Sequence, residues 1–304
     1  MANTTFSGPI RSENGMKLVS KNATTGLISD RTVGDYPKDA RRYYLEEWFN
    51  RRPGLNANLD QAATIEVQRT LSYDFEALGT NMTSALCTFG ATTGGILATT
   101  AGADADQAIV CPHLDDDGTA DTGAITAWSG VQWGTENETH WETSIMLPAL
   151  DNQKVWAGLK LTNDQLVATD DDQAYFKYQT EATNSEAFTD YAKWHFVHSI
   201  GGTDYISVLP ITVAINTPYH FKIEVDSDRK AAIFVNGIQY NVTTTAGSTL
   251  GTAVTAVQPG KAATKTAALT DDVNLIPYVG IEAGAAAAEA VNVHYVACSR
   301  NVYE

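Results

Sequence analysis

The sequence predicts an all-β fold, an antiparallel sandwich of two sheets, on three observations. Apolar and polar residues alternate with a period of two in stretch after stretch beyond residue 70. Polar turn signals separate those stretches, and a single segment shows helical spacing. The 304 residues suffice for one large β domain or two modest ones with a sizeable core. With 43% hydrophobic and 18% charged residues, the composition excludes a disordered tail protein and a coiled coil.

Residues 1–37 show no sustained period, carry Gly and Pro punctuation, and hold only scattered apolar residues: Phe6, Ile10, Met16, Leu18 and Ile28. Such a segment cannot bury a core of its own. Fully extended it reaches on the order of 120 Å at about 3.3 Å per residue, so it is expected to form an arm laid along another subunit. Over residues 37–50, Ala40, Tyr44, Leu45 and Trp48 fall at helical spacing before Pro53-Gly54, which predicts one short α-helix. Arg41, Arg42, Glu46 and Glu47 occupy its other face, the pattern of a docked surface helix. Residues 1–70 are thus expected to be an arm and helix that anchor the protein, and residues 71–304 the sandwich.

Residues 139–147 alternate, with Trp141, Ile145 and Leu147 on one face and His140, Glu142 and Ser144 on the other. Further strands are predicted over 155–161, 174–179, 194–200, 206–213 and 219–225. Residues 226–229 are turn chemistry, and Asn236-Gly237 between 230–235 and 238–242 marks a hairpin with a type I′ turn. Strands over 278–283 and 291–299 close the chain. Residues 243–274, rich in Thr, Ala and Gly, are expected to interrupt the sandwich as a long or projecting loop.

The net charge is −16, divided as +2 over residues 1–70 and −18 over the remainder. A surface of that sign repels nucleic-acid phosphates and anionic membranes, so neither is an expected partner. No window approaches the roughly 20 apolar residues of a membrane span. Cys87, Cys111 and Cys298 are odd in number and in no CxxC pair, and the opening residues lack a secretory pattern, so synthesis in a reducing cytosol is expected.

Residues 136, 138, 140 and 142 would share one face if a strand ran that far, placing Glu136, Glu138, His140 and Glu142 together. Two carboxylates and an imidazole suit glycosidic chemistry, although the wet face of any half-exposed strand carries such residues. No cofactor is expected; the acidic loop with Asp115, Asp117 and Asp121 reads first as a solvated turn, with calcium as the alternative. It departs from the twelve-residue calcium loop, since His113 stands at the first-ligand position and Ala124 replaces the bidentate Glu. His195 and His198 point to opposite faces of a strand and cannot share a metal. Trp128, Trp133, Trp141, Trp156 and Trp194 are expected in the core rather than in a sugar-stacking platform.

Residues 219–226 followed by 232–237, and the ending over 277–283 and 291–297, resemble the strand, hairpin and last two strands of concanavalin A-like jelly rolls. That resemblance covers about residues 70–304. Residues 1–15, 156–163 and 170–176 resemble virion structural proteins of marine tailed phages. Together these imply a non-enzymatic virion component, a capsid decoration or cement protein made in the host cytoplasm and carried on the particle. The partners implied are the major capsid protein or other virion proteins, with self-association as a trimer. Phe6, Ile10, Met16, Leu18, Ile28, Trp48 and Phe49 are then the candidate anchors. The alternative is a glycan-binding module on the virion surface or fibre. Glucan-cleaving jelly rolls carry a Glu-x-Asp-x-x-Glu strand; here Glu138 stands where Asp should, and Glu142 falls one position late, so hydrolysis ranks third.

Overall fold

The computed structural model describes residues 16–21, 28–33, 42–55, 59, 71, 74–90, 93–112, 133–180, 186, 188–247 and 251–302. In chain order the strands are β1 (Met16–Lys21), β2 (Ile28–Val33), β3 (Arg42–Trp48), β4 (Phe75–Leu78), β5 (Cys87–Phe89), β6 (Ile96–Thr99), β7 (Gln107–Pro112), β8 (Trp133–Gly134) and β9 (His140–Met146). They continue as β10 (Gln153–Lys160), β11 (Gln173–Gln179), β12 (Lys193–Ile200), β13 (Thr203–Thr212), β14 (Pro218–Val225), β15 (Ala231–Val235), β16 (Ile238–Tyr240), β17 (Thr252–Ala253), β18 (Asn274–Ala283) and β19 (Ala290–Asn301). The described residues contain no α-helix, only 3-10 turns at Ser84–Leu86 and Thr135–Asn137.

Two large sheets build an all-β sandwich. One runs β17-β13-β12-β11-β10-β18-β7-β4, with β8 beside β18; the other runs β16-β15-β14-β9-β19-β6-β5, with β3 beside β19. All pairings are antiparallel except the short parallel contact of β17 with β13. Among the described residues β1 and β2 pair with each other alone, in a two-stranded sheet separate from both.

The period of two explains which side chains enter the core. Strand β9 alternates strictly, burying Trp141, Thr143 and Ile145 while His140, Glu142, Ser144 and Met146 stay half-buried. Strand β14 pairs beside it and does the same with Tyr219, Phe221, Ile223 and Val225. Between the sheets, Phe176 stacks on Phe221 at 4.4 Å and Trp194 meets the same ring edge-on at 4.7 Å. The Asn236-Gly237 turn adopts positive φ at both residues (51° and 76°), as a type I′ hairpin requires.

The helix expected over residues 37–50 is corrected: its described part is strand β3, paired with β19 from Arg42↔Asn301 to Trp48↔Tyr295. Residues 42–48 also fit a period of two, with Leu45 buried and Trp48 outward. Pairing along β19 outweighs a helical pattern that had only three turns to support it. Phe49, immediately after, is 3% exposed and packs edge-on to Phe75. Residues 42–49 therefore belong to the sandwich.

The loop expected to project over 243–274 instead lies along the sheet edges where it is described. β17 adds to β13 in one sheet, whereas Ala256 bridges Tyr240 and the Val257 amide donates to Gln239 in the other. Further on, the Thr266 and Leu269 amides donate to Ala231 and Arg229. A strap of small residues thereby covers the exposed backbone of two edge strands, which would otherwise invite pairing with another chain.

Candidate functional site

The outer faces of the two sheets differ in kind. On the nine-stranded sheet, β10 and β11 are buried along their whole length, although alternation turns Lys154, Lys160, Gln173, Tyr175 and Lys177 away from the inter-sheet core. The chain covers this face with its own residues 161–172, together with Glu186 and Phe188. Lys160 meets Asp170 at 2.9 Å and lies 4.4 Å from the centre of the Tyr175 ring. Asp170 in turn accepts from the Leu161 and Thr162 amides and the Thr162 hydroxyl. Lys177 pairs with Glu186 and donates to both oxygens of Gln165. Lys154 pairs with Glu282 at 2.7 Å, and Glu282 also accepts from Gln107.

Every one of these ammonium groups thus has a carboxylate partner within the chain, as burial demands. Burial lowers the Lys177 ammonium to about 8 against the opposing pull of Glu186. The same desolvation lowers Lys160 in spite of Asp170. Beneath the cover, Gly280 stands directly opposite Trp156, and a Cβ there would come within 2.3 Å of the indole. Only glycine lets that ring lie across the neighbouring strand.

The outer face of the eight-stranded sheet is exposed at Trp48 and partly exposed along β9 and β14, while Tyr295, Ala297 and Ser299 on it are buried. Register aligns three cross-strand rows on it. The first is Trp48, Tyr295, Ser144 and His220; the second is Glu46, Ala297, Glu142 and Lys222; the third is Tyr44, Ser299, His140 and Glu224. Trp48 is 46% exposed and stacks on Tyr295 with ring centres 4.3 Å apart. Its indole N–H donates to Glu46. The Tyr295 hydroxyl donates to Glu142 Oε1 at 2.7 Å, and Tyr44 lies 3.5 Å from that hydroxyl. His220 Nε2 stands 3.6 Å from Glu142 Oε2. Arg42 frames one end, donating to Ser299, Asn301 and the Glu138 carbonyl. Burial drives the Tyr295 and Tyr44 phenols well above the usual range, helped by the carboxylates of Glu142 and Glu46 respectively, so both hydroxyls stay protonated.

The bulge in β19 between Val293 and Tyr295 makes this alignment. It flips the alternation, so that Val293 and Val296 face the core while Tyr295 comes outward under Trp48.

Of the residues singled out for chemistry, His140 and Glu142 share this face. Glu136 and Glu138 do not join them, because Thr135–Asn137 is a 3-10 turn and Glu138 is left-handed (φ 48°), so the strand begins only at His140. Asp115, Asp117 and Asp121 lie outside the described residues, as do Phe6, Ile10 and Trp128. Met16, Leu18 and Ile28 fall on β1 and β2, whose backbone alone is described. Trp133, Trp141, Trp156 and Trp194 are buried. His195 packs on Phe188 and His198 on Tyr205, on opposite faces of β12. Phe49 is withdrawn as an anchor because the core encloses it, and Trp48 lies on the sandwich rather than on an arm. The platform around Trp48 and Tyr295 was missed in the sequence; the outward set Arg42, Tyr44, Glu46, Trp48 at a period of two is the signal that reveals it.

No family model and no curated protein matches the chain. Similar solved structures include a protein of unknown function from Shewanella oneidensis MR-1, at 9% identity, covering 86% of this chain and 89% of that one with a TM-score of 0.46. The β-glucanase of Bacillus licheniformis is 10% identical, with 86% and 99% covered and a TM-score of 0.39. An alginate lyase of Pseudomonas aeruginosa is 11% identical, with 71% and 86% covered and a TM-score of 0.39. The expectation of a non-enzymatic chain is corrected by these comparisons, since similar sandwiches include enzymes.

Proposed function

We propose that the chain is a structural protein of a phage particle, of the capsid decoration type, held by residues 1–41 and displaying its sandwich outward. The observation that carries this reading is the separate sheet of β1 and β2, hydrogen-bonded to neither sheet of the sandwich. A lone two-stranded hairpin is marginal in water and needs a further surface to become stable. A neighbouring subunit supplies that surface, with Phe6, Ile10, Met16, Leu18 and Ile28 as the apolar contacts.

Charge supports the same division of labour. Residues 1–41 carry six basic and four acidic groups, and residues 42–304 carry fourteen and thirty-two. A near-neutral arm can lie on a shell, while a strongly acidic outer body keeps particles apart. The resemblance of residues 1–15, 156–163 and 170–176 to marine tailed-phage virion proteins points the same way. The major capsid protein is the proposed partner, with copies of the chain associating as trimers.

Cryo-electron microscopy of particles from the phage encoding this chain tests the reading. The expected map has the sandwich raised on the shell and residues 1–41 running along a neighbouring subunit. Particles that lack the chain, or an arm that touches only its own sandwich, contradict it.

A further inference from the structure

We propose that the outer face of the eight-stranded sheet is a binding site for neutral saccharides, with a pyranose ring seated on Trp48 and its hydroxyls donating to Glu46 and Glu142. Three features of the face carry this inference. The first is an aromatic ring that is exposed yet held. Among the described residues the exposed large hydrophobics are Trp48, Ile215 and Val302. Trp48 differs from the other two in being fixed, by stacking on Tyr295 and by the hydrogen bond from its indole N–H to Glu46. A ring held in place has already lost the side-chain freedom that binding would otherwise remove.

The second feature is what lies beside the ring. Glu46 and Glu142 flank Ala297 in one cross-strand row, next to the row that holds Trp48 and Tyr295. Ala297 between the two carboxylates is buried. Glu46 accepts from Trp48 and meets the Tyr44 hydroxyl, Glu142 accepts from Tyr295, and an ionised carboxylate has about four lone-pair positions. The remaining positions accept only from donors. A ligand that fits must therefore present hydroxyl or amine donors a few ångströms from a face that can lie on an indole.

The third feature is charge, which separates neutral from acidic sugars. Lys222 is paired with Glu224 at 2.6 Å, and Arg42 is engaged with Ser299, Asn301 and Glu138. Glu46 meets Trp48 itself and Glu142 meets the Tyr295 ring stacked on it, in a chain of net charge −16. Uronate or sulfated glycans are repelled. A neutral pyranose instead offers a face of C–H bonds to the negative π surface and a rim of hydroxyls to the two carboxylates.

The test is isothermal titration calorimetry of the full chain with neutral hexasaccharides of β-1,4-glucose, α-1,4-glucose and β-1,4-mannose, and with hexamannuronate as the anionic probe. At least one neutral probe is expected to bind, with hexamannuronate weaker. Trp48→Ala should weaken that probe at least about tenfold, Glu142→Gln should weaken it less, and Trp48→Phe should restore most of the loss. Ile215→Ala, at another exposed hydrophobic, should change nothing. Thermal melting of each variant separates lost binding from lost folding, and Trp48→Phe and Glu46→Gln keep the question open to refutation should Trp48→Ala unfold. No binding of any neutral probe at about 5 mM, preference for hexamannuronate, or unchanged affinity in folded Trp48→Ala overturns the proposal.

Discussion

His195 and His198, together with His140 on the other sheet, which burial lowers to about 3, shape how the molecule responds to acid; the first two pack on aromatic rings. Both are about 1% exposed. Burial lowers His195 to about 4, with Lys177 adding to it and Asp190 opposing it, and burial lowers His198 to about 3. In the unfolded chain each takes a proton below about pH 6.5. Their contribution to stability is therefore complete above pH 6.5 and is lost as the pH falls through the window down to the folded values. Each group contributes a loss of about 1.4 kcal/mol per pH unit in that window. Urea unfolding between pH 7 and pH 5 should show stability falling before the carboxylates titrate. The double variant His195→Phe, His198→Phe keeps the ring packing on Phe188 and Tyr205 and should reduce that slope, His140 retaining its own share; an unchanged slope refutes the assignment.

At the scale of elements, residues 161–172 act as a cover whose fixing point is Asp170. Its carboxylate holds two loop amides and one hydroxyl while neutralising a fully buried ammonium. Asp170→Ala removes all of these and leaves Lys160 unpaired, a change expected to cost about 3–5 kcal/mol. Denaturant unfolding of Asp170→Ala beside the double variant Asp170→Ala, Lys160→Met checks this. The double variant should recover much of the loss, and equal losses in both would show that the pair is not the cause.

Element by element, the sequence discloses what local pattern controls. The alternation of residues 140–146 and 218–225 and the Asn236-Gly237 turn are written in consecutive residues, and the structure has them in those places. Strand β3 was not legible in the same way. Residues 42–48 satisfy both a helical and a period-two reading, and what decides between them is β19, some 250 residues distant. The platform was hidden for the same reason, since Trp48 and Tyr295 become neighbours only through that pairing and the bulge beside it. The cover over β10 and β11 was equally out of reach: lysines at alternate positions read as a wet face, and nothing local says that a later loop supplies their carboxylates. The edge-hugging path of the strap likewise depends on strands it does not follow in sequence.

At the scale of the whole molecule, the described residues form a two-sheet body and a leading hairpin in a sheet of its own. The body buries a large core between its sheets, and the strap covers the β13 and β16 edges. Among the described residues no third strand pairs with the hairpin, and a two-stranded unit needs a further surface. Its order is therefore expected to come from assembly, which is the claim on which the virion role rests. Amide hydrogen exchange over residues 16–33, compared between the free chain and the chain on assembled particles, tests this most directly. The account predicts exchange close to the unprotected rate in the free chain and strong protection on the particle, with the body protected in both. Strong protection of residues 16–33 already in the free monomer, or no gain on the particle, would contradict it.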